Sequence, residues 1–174
     1  MTQFQSKMLP EMIALADYQN NNQLHGFVSL SLSSFFLPIY KLKPSQYIVN
    51  VDFDNMLSIL SISDERLWFM MDGEIPKGLI VANHAKPIRM GGENRSKDLY
   101  QMYQLIQHEN VQIKEISYIE FEGQGLLKVF HLGGEDMYLS RGASYVLDLP
   151  ANQKLTMYEV VKQMKKRIEM FSEV

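Results

Sequence analysis

The sequence predicts an α+β fold: one domain, residues 1–174, with a mostly antiparallel central sheet flanked by helices. Three observations predict it. Leu99, Met102, Tyr103 and Ile106 recur at i, i+3, i+4 and i+7, the spacing of one helix face. Two β-rich stretches meet at "EGQG", where glycines supply a hairpin turn. The chain closes on a helix that opens with a capping box, Thr156 to Glu159. Helices and hairpins alternate, which is the pattern of an α+β domain.

Taken in order, residues 10–19 read as a helix. Pro10 suits its first turn, and Met12, Leu15 and Ala16 form a short apolar face. Asn and Gln then break the pattern. Residues 27–37 fit a strand through their alternating serines, or a helix through Val28, Leu32, Phe35 and Phe36; Pro38 ends either one. Residues 46–52 and 56–62 read as a hairpin around "DFDN". Ser63 or Asp64 is expected to cap a short helix, and Leu79 to Ala82 to form a buried strand. A helix over 98–107 and a hairpin over 112–132 follow. Short strands are expected at 137–139 and 145–147. The last helix carries the stripe Met157, Val160, Val161, Met164, Ile168 and Phe171, expected to pack on the core.

Composition narrows the chemistry. The 174 residues are 46% hydrophobic and 21% charged, enough to bury a core. The net charge is -3, and the one tight basic cluster, Lys165-Lys166-Arg167, reads as a solvated helix end. No nucleic-acid partner is therefore expected. Cysteine is absent, which removes disulfides, thiolate catalysis and Cys-ligated zinc. The first residues lack an apolar signal core, and no run reaches the roughly 18 apolar residues of a membrane span. A cytoplasmic, soluble protein is the expectation, with no metal site.

The chain holds no phosphate-loop, dinucleotide, zinc-protease or nucleophile-elbow motif. Gly91-Gly92 before a helix is a weak anion signal, and a plain loop is the better reading. Four histidines remain. His108 suits a helix end and His131 a satisfied place in a strand. His25 and His84 stand at element ends, where side chains can converge on a cleft.

Leu24-His25 after the first helix, Leu37-Pro38, Gln46-Tyr47, then Asp54, Asn55 and "MLSILSI" follow one another in a recognisable order. So do "NHAKPI", "MGGENRSKDLYQMYQLI" and "GLLKVFHLGG". This order resembles the toxin-activating lysine acyltransferases, the family that matures RTX hemolysins. The resemblance implies a fold similar to the GCN5-related N-acetyltransferase fold. It implies transfer of a fatty acyl group from acyl carrier protein to internal lysines of a protoxin, with no bound cofactor. Its implied partners are acyl carrier protein and a large secreted toxin-like protein, and it leaves room for a homodimer.

Carried over residue by residue, His25 is the base and Ser61 matches the motif serine. Asn83 stands where the family has its catalytic aspartate, with His84 as the neighbouring substitute; another register nominates Asp72. Asn can orient an imidazole but cannot balance an imidazolium charge. Phe35 and Phe36 are candidates for an acyl channel, and Lys86 and Arg89 for contacts with an acidic carrier. The alternative is a catalytically degenerate relative, acting as a binding or chaperone module for a secreted partner.

Overall fold

The computed structural model describes residues 8–21 and 29–172. The fold is α+β with a mostly antiparallel sheet, and the chain divides into two compact units. Unit 1 holds the residues up to Phe36 together with Asp64–Lys97. Unit 2 holds Leu37–Ser63 and the residues from Asp98 onward.

In unit 1, helix α1 (Pro10–Asn21) begins at its proline, as expected. A short strand β1 (Ser31–Leu32) pairs antiparallel with β3 (Leu60–Asp72), whose C-terminal part lies in this unit. Strand β4 (Ile75–Ala82) pairs with β3, and β5 (Pro87–Gly91) pairs with β4 and forms the edge. The described part of residues 27–37 is therefore not a helix: it is extended, with bends at Ser34 and Phe35. The helix expected after Ser63 is also overturned. Leu67, Phe69 and Met71 are buried at every second position, which is a strand period. Gly73-Glu74 then turns the chain in two residues between Asp72 and Ile75, Gly73 taking φ 58°.

Helix α1 packs on the face that carries Trp68, Met70, Ile80 and Ala82, burying Ala14 and Leu15 there. Leu15 lies inward as the sequence suggests, but Met12 does not.

In unit 2, β2 (Leu37–Leu42) lies between the start of β3 and β6 (Ile113–Phe121). Its pairing with β6 is parallel. Strands β7 (Gln124–His131), β8 (Gly134–Leu139) and β9 (Leu155–Thr156) continue antiparallel. The β6–β7 hairpin falls where "EGQG" predicts it, with Glu122 and Gly123 both at positive φ.

The expected hairpin over 46–62 is instead helix α2 (Ser45–Asn50) and a kinked 3-10 helix (Phe53–Ile59). Pro44 starts the first, and each segment fixes itself by one deep anchor, Ile48 or Ile59. Burial of Ile48 against the unit 2 core overrides the β propensity of Ile48 and Val49. Residues 145–147 end helix α4 (Arg141–Leu147) rather than forming a strand. Ser140 caps it by accepting the Ala143 N–H, and Ala143 and Leu147 point inward four residues apart.

Helix α3 (Glu93–Glu109) contributes its residues from Asp98 onward to this unit. Helix α5 (Met157–Ser172) starts at the expected capping box: Thr156 Oγ1 accepts the Glu159 N–H at 3.1 Å, and Glu159 Oε2 accepts the Thr156 N–H at 2.8 Å. Val160, Val161 and Met164 close over Ile119, Leu126, Met137 and Leu139 to form the core.

Candidate partner-binding face

The residues nominated from the sequence fall in separate places. His25 lies outside the described residues. Asn83 and His84 occupy the β4–β5 turn. The Asn83 side chain builds that turn: its Oδ1 accepts the N–H of Ala85 at 2.8 Å and of Lys86 at 2.7 Å. His84 is 81% exposed, and its Nδ1 lies 3.0 Å from Asp64 Oδ2. Asp72 ends β3 at the other end of the β3–β4 hairpin. An eight-residue strand separates it from Asn83, about 25 Å at the usual rise. Asp72 and Asn83 therefore do not share a site. Asn83→Ala is expected to cost about 1 kcal/mol of stability, the usual effect of losing such side-chain acceptors. Urea unfolding of the variant measures it.

Ser61 donates to the Lys41 carbonyl at 3.1 Å. Phe35 packs against Phe69 with ring centroids 5.8 Å apart, and Phe36 against Trp68 at 5.1 Å. The Arg66 guanidinium sits 4.5 Å over the Phe36 ring. Lys86 lies in the β4–β5 turn and Arg89 in β5, both exposed.

Gly91-Gly92 does precede a helix, and the first helical residue is itself an anion. Glu93 pairs with Lys97 at 2.9 Å and Lys77 at 3.3 Å. The bond from Lys97, then that from Lys77, holds its carboxyl below the ordinary 4.5. A depressed carboxyl stabilises the fold above its unfolded pKa and loses that contribution as pH falls through the folded value. Lys97→Ala is expected to move the Glu93 pKa upward, read by NMR titration of its side chain.

Several polar groups of unit 2 are committed to one another. His131 takes the Gly133 N–H on Nδ1 at 3.0 Å, so Nε2–H donates to Asp136 at 2.6 Å. Lys165 donates to the Val51 carbonyl, and Arg167 pairs with Glu122 at 3.0 Å. Tyr138 donates to Glu109, and its burial pushes the phenol up to about 12.

Sequence reading missed a polar group on the face of the sheet under α5. There Lys128 lies 3.3 Å from Glu135, and Tyr40 donates to Glu115 at 2.9 Å. Burial, then the Glu115 bond, raises the Tyr40 phenol. Ser117 stands opposite Lys128, its hydroxyl buried without a partner among the described residues. The polar residues at alternate positions of β6 and β7 were the signal. Their closeness to Tyr40 depends on strand order.

Unit 1 carries a different surface. From Leu9, just before α1, through Met12, Ile13 and Ala16 the apolar residues are spaced as one helical stripe, opposite the buried Ala14 and Leu15. Leu9 is 60% exposed, Met12 40% and Ile13 38%. Asp17 is the one charge on this outward side of α1. Met90 stands in register with Ile80 and Trp68, which puts it on the face that α1 covers, yet it remains exposed. The helix is thus apolar on two sides, and the sheet can satisfy only one. The sequence signal was the near-continuous apolar composition of "MLPEMIALA".

Among the described residues, no helix is long and apolar enough to cross a membrane, and no group of three His, Asp or Glu is placed to hold a metal ion. No family model matches the chain, and no curated protein or solved structure matches it.

Proposed function

We propose that this chain is a protein-binding module whose unit 1 takes an apolar segment of a partner polypeptide on the outer face of α1. The observation that carries this reading is the stripe of Leu9, Met12 and Ile13, turned away from the sheet that buries the opposite side of the same helix. Burying such side chains yields roughly 1.5–3 kcal/mol each before the costs of association. Methionine adapts its shape to the chain it meets, which suits a surface that grips apolar side chains. The near absence of charge on this side favours an apolar segment over an acidic or basic one.

The test is selection of peptides from a random displayed library on the immobilised full chain. Enriched peptides should carry apolar residues at helical or alternating spacing and should compete with one another for α1. Enrichment of charged sequences, or of none, would count against the reading. Acyl transfer is examined in parallel, with acyl carrier protein carrying a long acyl chain and a secreted toxin-like protein as acceptor. Acyl-lysine that forms with the wild type and is lost in His25→Ala would favour the acyltransferase reading instead.

A further inference from the structure

We infer that unit 2 contains a second binding site, a cleft between α2 and the 3-10 helix that takes a small carboxylate bearing a flat aromatic group. The cleft measures about 540 Å³, within the range of small-molecule sites. One wall is the face of α2 that carries Gln46, Tyr47 and Asn50, and the other is Ser58 and Ile59 at the end of the 3-10 helix. The backbone closes its base: the Lys43 N–H donates to the Ile59 carbonyl at 2.8 Å.

Apart from Asn50, whose amide donates to the Gln46 carbonyl at 2.8 Å, its polar side chains are uncommitted, in contrast to those of the β4–β5 turn and of the His131 pair. Among the described residues, the Lys43 ammonium, the Gln46 amide and the hydroxyls of Tyr47 and Ser58 hold no hydrogen-bond or ionic partner. Lys43 is the one charged residue lining the cleft, and no carboxylate lines it. A ligand there meets one positive charge, which fits a monoanion better than a phosphate dianion. The Tyr47 ring is exposed, and Val51 and Ile59 add aliphatic surface, so the rest of the ligand is flat and apolar.

The experiment uses the 15N-labelled full chain and three probes: 2-naphthoate, its neutral analogue 2-naphthamide, and inorganic phosphate. Naphthoate should cause saturable amide shifts confined to residues 43–59. The amide should bind about tenfold more weakly, the value of a charge-assisted bond. Lys43→Met should erase the difference between acid and amide, and Tyr47→Ala should weaken both. The inference is overturned if naphthoate causes no saturable shift there up to about 10 mM. Equal affinity for acid and amide on the wild type also overturns it, whatever the variants do. So does phosphate binding as tightly as naphthoate at the same residues.

Discussion

Leu126→Ala is expected to destabilise the protein by about 3 kcal/mol, within the range of buried leucine truncations. Leu126 is fully buried in the middle of β7, among Ile119, Leu139 and the inward face of α5. The loss has two parts. Removing the side-chain carbons forfeits their transfer free energy, and the sheet cannot collapse into the space because β6 and β8 fix its position on both sides. For a chain of this size the melting temperature should fall by roughly 10 °C. Calorimetry of the purified variant measures the shift. A change under about 1 kcal/mol would mean that the α5 core packs differently from the arrangement described.

Replacing Met12 and Ile13 together by glutamate should produce the opposite profile, a large loss of binding with little change in stability. Met12 is 40% exposed and Ile13 38%, and neither belongs to the cluster that Ala14 and Leu15 form with the sheet, so little core packing is lost. Glutamate is a good helix former, and acidic groups near a helix N-terminus are favourable. Stability should stay within about 0.5 kcal/mol of the wild type. On the outer face, by contrast, the change removes two apolar contacts and places two charges against an apolar partner. Affinity should fall at least about tenfold, because 1.4 kcal/mol suffices for that factor.

Elements with redundant local signals were legible. The helix from Glu93 has its apolar spacing, the β6–β7 hairpin has glycine at the turn, and α5 has a capping box whose hydrogen bonds all form. The β3–β4 hairpin was also written in the sequence, in the period of Leu67, Phe69 and Met71 and in Gly73 at the turn. The capping residues Ser63 and Asp64 just upstream competed with that pattern. Helices α2 and α4 were not legible, because their β-branched and aromatic residues favour strands and only long-range burial decides otherwise.

The candidate face was half legible. "MLPEMIALA" shows more apolar residues than one helix side can hold, but which side meets the sheet depends on α1 docking against β4 and β5. Asn83 shows the converse limit. Its residue type suits both an imidazole partner and a turn, and its hydrogen bonds to Ala85 and Lys86 commit it to the turn.

The most direct measurement is the Kd of one library-selected peptide for three full-length proteins: the wild type, the Met12→Glu/Ile13→Glu variant, and an Ile62→Glu control. Ile62 is 86% exposed and belongs to unit 2. Binding through α1 predicts that the double variant loses at least about tenfold in affinity while the control matches the wild type. Equal affinity for all three proteins, or a loss confined to Ile62→Glu, would contradict it.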